Sequence, residues 1–192
     1  MEQRRGAYAE SAIGQKYPAS VPYVACDGRL YGIWVLGQDY RSKSGYHGSF
    51  PPNYLDRVMA LFQDAERILH IFSGSLPKSD KYTRLDLRDD IDADVRGNAE
   101  EVDELFKGQT FDLIHADPPY TEEDATKYGV PMVNRNKVVA NAAKILEPGG
   151  FLVWLDMVLP MYSNQVYEYM GTIGLQRSTN HRFRAVTLFR RK

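Results

Sequence analysis

The sequence predicts an α/β fold built on a mostly parallel sheet, because strand-like and helix-like segments alternate along most of its length. Two observations carry this. Short runs rich in β-branched and aromatic residues, such as Ile68-Leu69-His70-Ile71-Phe72 and Phe111-Asp112-Leu113-Ile114-His115-Ala116, end abruptly in turn-forming or acidic residues. Between them, apolar residues recur every three or four positions, the period of a helix with one buried face. In such a sheet ligands bind at the carboxyl ends of the strands. The 192 residues amount to about one domain, and 43% hydrophobic residues are enough for a sizeable core.

In chain order, residues 1–25 show no sustained periodicity and carry Pro18 and Pro22, so they are expected to form an N-terminal arm lying on the domain or partly disordered. Residues 26–192 form the single domain. Asn53 is placed to cap a helix whose Leu55, Val58, Met59 and Phe62 share a face, and a buried strand over 68–72 follows. Ser73-Gly74-Ser75 makes a small-residue turn, 82–87 is the second strand, and 91–95 a short third. A helix over 98–106 leads into the strand 111–116. Val138, Val139, Ala142, Ile145 and Leu146 mark a helix that stops at Pro148-Gly149-Gly150, and 151–158 is a continuous apolar strand of the doubly buried kind. A helix is expected over 163–173, with Val166, Met170 and Ile173 on one side. Strands over 175–184 and 185–190 close the chain as an antiparallel pair.

Composition excludes several function classes. No apolar run approaches the roughly 20 residues that cross a bilayer. The first residues lack an apolar leader, and the one cysteine, Cys26, can form no intrachain disulfide, so a cytoplasmic location is expected. The four histidines, His47, His70, His115 and His181, are scattered without metal-ligand spacing. The 24 basic and 25 acidic residues nearly cancel, yet from Asp86 to Glu104 nine acids stand against two bases, and from Arg177 to Lys192 there are six bases and no acid. That distribution reads either as a solvated acidic loop and a basic hairpin or as a surface for a polyanion.

The chemistry concentrates in Asp117-Pro118-Pro119-Tyr120, at the carboxyl end of a strand. Consecutive prolines fix both φ angles and offer carbonyls without competing N–H groups, so the Asp117 carboxylate and the Pro118 carbonyl can face one spot as a rigid pair of acceptors. Two acceptors that grip the hydrogens of an aromatic amine favour its pyramidal, nucleophilic form, and Tyr120 can stack on the base that carries the amine.

These residues resemble the class I S-adenosylmethionine-dependent methyltransferases, in particular the amino-methyltransferases of DNA adenine, whose catalytic motif Asp117-Pro118-Pro119-Tyr120 matches; the resemblance covers about residues 45–160. It implies a seven-stranded Rossmann-like sheet with Asp117, Pro118, Pro119 and Tyr120 as the catalytic set and S-adenosylmethionine as cofactor. Phe72, Ser73, Gly74 and Ser75 correspond to the loop beside the cofactor's methionine part, Asp86 to the acid that bonds its ribose, and Asp94-Val95 to the segment beside its adenine. Gly48-Ser49-Phe50-Pro51-Pro52 is similar to the segment that closes over the cofactor, which assigns Tyr46, Phe50 and Pro51 to that side together with Asp117. The chain departs from the family pattern at His70, Ile71 and Leu76, and residues 121–133 are too short for a separate target-recognition region.

Substrate contacts then fall to Tyr120 and to Tyr40-Arg41-Ser42-Lys43-Ser44-Gly45-Tyr46-His47-Gly48. Here Arg41 and Lys43 can bond phosphates while tyrosines stack on bases, or the stretch is a surface loop with incidental tyrosines. Arg177, Arg182, Arg184, Arg190 and Arg191 can add phosphate contacts. The partner implied is a nucleic acid, DNA before RNA, with no membrane, alongside a second copy of the chain or a separate specificity partner. An RNA base methyltransferase and a non-catalytic binding subunit with the same fold are the alternatives.

Overall fold

The computed structural model describes residues 1–37, 50–51, 53–177 and 182–192. Nine strands are described: β1 (Tyr23–Val24), β2 (Leu30–Leu36), β3 (Ile68–Ile71), β4 (Thr83–Asp86), β5 (Val95–Arg96), β6 (Phe111–Ala116), β7 (Leu146–Asp156), β8 (Tyr167–Arg177) and β9 (Phe183–Arg191). They form one sheet in the order β1-β2-β8-β9-β7-β6-β3-β4-β5. The seven expected strands are its body, parallel from β5 across to β7, with β9 antiparallel to both of its neighbours. Two strands not foreseen extend the far edge: β2 runs parallel to β8, and β1 pairs back on β2.

Strand alternation sends side chains to two cores. Leu69 and Ile71 of β3, Ile114 of β6, and Leu152 and Trp154 of β7 face one side, where α6 (Arg135–Ile145) buries Val138, Val139, Ala142 and Ile145 against them. Ile68, Leu113, Val153 and Leu155 face the other side, covered by α3 (Tyr54–Leu61) and by the N-terminal segment. Residues 1–25 include α1 (Glu2–Glu10) and α2 (Ala12–Lys16). The expected arm lies on the domain through Tyr8, fully buried and stacked on Trp34 at 5.8 Å, with its hydroxyl accepting a 2.6 Å hydrogen bond from Arg57.

No helix forms over 163–173: a turn over 163–166 leads into β8, which takes up 167–173. A bulge between Tyr169 and Gly171 shifts the alternation by one residue, so the apolar spacing across it imitates a helical period. Gly171 makes the bulge possible. Its φ is +129°, and a Cβ there would stand 1.9 Å from the Leu30 carbonyl oxygen of β2. Gly171→Ala is therefore expected to cost about 2–3 kcal/mol through strain and loss of the β2–β8 pairing, read as a lowered melting temperature.

The strand ends set the location of the site. Ile71, Asp86, Arg96, Ala116, Asp156 and Arg177 all end parallel strands at one edge, and Phe183 begins β9 there. Among the described residues no helix is long and apolar enough to cross a membrane.

Candidate active site

Beyond Ala116 the chain leaves the centre of the sheet as Asp117-Pro118-Pro119-Tyr120, with both prolines buried and all peptide bonds trans. The Tyr120 hydroxyl donates a 2.5 Å hydrogen bond to Asp117 Oδ1. Burial pushes the Asp117 carboxyl up to about 7, the Tyr120 hydrogen bond and the Arg184 charge pull it down, and the negative Asp156 adds to the rise. The Arg184 guanidinium lies 4.8 Å from the Tyr120 ring centre and covers one face of the ring. Thr121 then caps α5 (Glu122–Tyr128), its side chain accepting from the Asp124 N–H, and three acids in the first turn suit the helix N-terminus.

Two long-range contacts hold this loop, and neither was foreseen. Arg135, in the first turn of α6, donates from Nη2 to the carbonyls of Tyr120 at 2.8 Å and Pro119 at 3.3 Å. Its Nε donates at 2.6 Å to Asp156, which is fully buried at the end of β7 and also accepts from Met157 N–H and Trp154 Nε1. The available signal was Asp156 itself, an acid inside an otherwise apolar strand. On the opposite face, the Tyr54 hydroxyl lies 2.8 Å from Nε2 of His115, two residues before Asp117 in the chain. The Phe50 ring packs 4.9 Å from His115, and Pro51 accepts the Tyr54 N–H at the start of α3.

On the proposed cofactor side, β3 gives way to Phe72, which adopts the left-handed φ of +61°. That conformation costs a non-glycine residue about 1–2 kcal/mol, and the ring is held against the core. Gly74 follows at φ +52°, and its N–H donates to Asp86 Oδ2 at 2.8 Å, while Asp86 Oδ1 accepts from Arg88 N–H. Asp86 thus fixes the turn to the end of β4 and keeps lone pairs on both oxygens. Ser75 is exposed, whereas Ser73 is buried and its Oγ has no hydrogen-bond partner.

The Asp94 carboxylate grips Arg84 at 3.0 Å through both Nε and Nη2, and Arg84 Nη1 donates to the Leu76 carbonyl. Asp94 therefore braces the loop, and Val95 packs on the core. His70, where the family pattern has an acid, is buried beside Phe50, Tyr82 and His115. Burial lowers its pKa to about 4, so it is neutral near pH 7. A carboxylate in that apolar setting would lack a counter-charge.

A polar cleft of about 480 Å³ opens next to Asp86, between Leu87, Arg88 and Asp90 on one side and Lys127, Tyr128 and Val130 on the other. Its volume falls in the range of small-molecule sites. A carboxylate with open lone pairs, an unpartnered buried hydroxyl and an adjoining cleft fit a ligand bearing a diol and an amino group. Tyr46, Arg41 and Lys43, with Gly48, Ser49 and Pro52, lie outside the described residues. The C-terminal arginines divide: Arg177, Arg182 and Arg184 sit at the site edge, while Arg190 and Arg191 lie at the opposite end of β9.

No protein-family model matches the sequence, and no curated protein matches it. Among solved structures, the chain is similar to TrmN from Thermus thermophilus, with 15% identity and a TM-score of 0.50 over 76% of this chain and 50% of TrmN. Lower likenesses include yhhF from Escherichia coli, at 14% identity and TM-score 0.48 over 75% and 89% of the two chains. The N-methyltransferase NodS from Bradyrhizobium japonicum follows at 15% and 0.44 over 66% and 86%. The chain spans half the length of TrmN. At these identities the likeness is one of fold.

Proposed function

We propose that the chain is an S-adenosylmethionine-dependent methyltransferase acting on an exocyclic amine of a nucleic-acid base, with the 6-amino group of adenine in DNA as its substrate. The observation that carries this reading is the Asp117-Pro118-Pro119-Tyr120 loop at the carboxyl end of the central strand β6, with the Tyr120 hydroxyl bonded to the Asp117 carboxylate. An aromatic amine is a weak nucleophile because its lone pair is delocalised into the ring. Asp117 and the Pro118 carbonyl, gripping its two hydrogens, favour localisation of that pair, and Pro119 keeps the loop rigid. As the new N–C bond forms, the amine must lose a proton, and the Asp117 carboxylate is the acceptor within reach. Tyr120 has one face covered by Arg184, and the other would take the base. In a duplex the base must be flipped out, at a cost of a few kcal/mol that single strands avoid.

Asp86, Ser73 and Gly74 would hold the cofactor, with Phe72 and Ser75 of the same turn, Phe50 and Pro51 above His115, and Val95 beside the adenine. When bound it supplies the electrophilic methyl group. The Asp94 carboxylate, engaged by Arg84, would act on it only through the loop. We assign this activity to one catalytic domain over residues 26–192.

Titration calorimetry with S-adenosylmethionine, followed by tritiated methyl transfer to DNA and to RNA, tests the reading. Micromolar binding and label on adenine N6 of DNA are expected. Label on RNA alone would move the substrate to RNA, and no binding by heat or by melting temperature would leave a non-catalytic protein with this fold.

A further inference from the structure

Guanidinium groups gather beside Tyr120 with too little negative charge to balance them. Arg177 ends β8 and Arg184 lies near the start of β9; pairing of Leu175 with Arg184 puts Arg177 and Arg184 on one face of the sheet. Arg184 is only 6% exposed, its Nε is buried without a hydrogen-bond partner, and its charged carbon sits over Tyr120. Arg182, next along that face, is already paired with Asp124 at 3.2 Å. Among the described residues no carboxylate lies within ion-pair distance of Arg177 or Arg184. Partial burial lowers the pKa of Arg177, and the charge of Arg184 lowers it further. The Asp117 carboxylate, on which the Arg184 charge acts, offsets one of the two cations at most, and a bound anion relieves the remaining cost.

We infer that Arg177 and Arg184 form a phosphate site, which holds the phosphodiester adjoining the target nucleotide while its base stacks on Tyr120. This deepens the reading above and rests on it. A guanidinium fork matches the paired oxygens of a phosphate, and the position beside Tyr120 is where the backbone of a stacked nucleotide passes. The site reads no sequence. It fixes the nucleotide's register over Asp117, which is the role phosphate contacts play in nucleic-acid recognition.

The test measures binding of a thymidine tract carrying one adenine, by fluorescence anisotropy across a salt series. Arg177→Gln should weaken binding by about 10-fold and flatten the slope of log K against log salt by about 0.7, with affinity for S-adenosylmethionine unchanged. In the native protein, a neutral methylphosphonate at one of the two phosphates flanking the adenine should reproduce the loss, and in Arg177→Gln it should add nothing. Arg184→Lys, which keeps the charge but not the fork, should lose part of the affinity at an unchanged melting temperature. The proposal is overturned if Arg177→Gln binds with native affinity and slope, or if it loses the cofactor instead, which would assign the arginines to the cofactor's carboxylate.

Adenosine and adenosine 5′-monophosphate separate this proposal from the nucleic-acid reading. If no oligonucleotide binds, that reading fails. The phosphate site then stands if the monophosphate binds the native protein more tightly than adenosine and Arg177→Gln abolishes the difference, and it falls if the two bind alike.

Discussion

Asp117→Ala is expected to lower methyl transfer by about 10²–10³-fold, the usual loss when one preorganised group at a reacting centre is removed. Affinity for S-adenosylmethionine should change far less, because the cleft, Asp86 and the Ser73-Gly74 turn lie on neighbouring strands. In the native protein the rate should rise as pH passes about 7, where Asp117 ionises, since only the carboxylate both accepts from the amine and takes its proton. The stability effect has the opposite sign. The folded carboxyl sits above its ordinary value of 3.8, so the folded state holds the proton more tightly than the unfolded chain, and the stability this group contributes is lost as pH rises from about 4 to about 7. Asp117→Asn, neutral at every pH, should thus melt higher than the native protein at pH 8 and lose most of that advantage by pH 5 while remaining nearly inactive. Full turnover by Asp117→Ala on every accepted substrate would refute the role given to this carboxylate.

The parts of the fold that proved legible are those encoded within a single segment. The bounds of β6 coincide with the apolar run 111–116, and α6 buries Val138, Val139, Ala142 and Ile145 as expected, although it ends at Ile145 and Leu146 with Pro148-Gly149-Gly150 belongs to β7. α3 buries Tyr54, Arg57, Val58 and Leu61, a face one residue away from the expected one. β8 is not legible in this way because its bulge breaks the two-residue period at Tyr169 and Gly171, and a broken period over eleven residues resembles a helix. β2 was overlooked although Leu30–Leu36 is rich in strand-forming residues; its partner β8 lies about 140 residues away, and a parallel pairing of that range leaves no local mark.

The site divides in the same way. Asp117-Pro118-Pro119-Tyr120 is legible because proline chemistry is local. The pairing of Asp94 with Arg84, the bond from Tyr54 to His115 and the grip of Arg135 on the loop all join residues that only the fold brings together. Asp94 shows the consequence: it directly precedes β5, where the resemblance expects the segment beside the cofactor's adenine, but its carboxylate is engaged inside the protein.

Arg135→Met should be the more damaging change to the fold. It leaves Asp156, fully buried, without its counter-charge, and breaking one side of a buried ion pair costs about 3–5 kcal/mol. For a chain of this size that corresponds to a fall of about 10 °C in melting temperature. Loss of activity in this variant alone would be ambiguous, since a destabilised protein also loses turnover. Arg135→Met combined with Asp156→Asn separates the two. The asparagine removes the stranded charge, and its one carbonyl oxygen still accepts from Met157 N–H at the loss of the Trp154 Nε1 bond, so a good part of the melting temperature should return. The carbonyls of Pro119 and Tyr120, however, remain without the donor that fixes them. If the guanidinium serves to position the catalytic loop, the double variant will be folded and will bind S-adenosylmethionine, yet its kcat will stay low. Recovery of kcat together with stability would reduce Arg135 to a structural counter-ion.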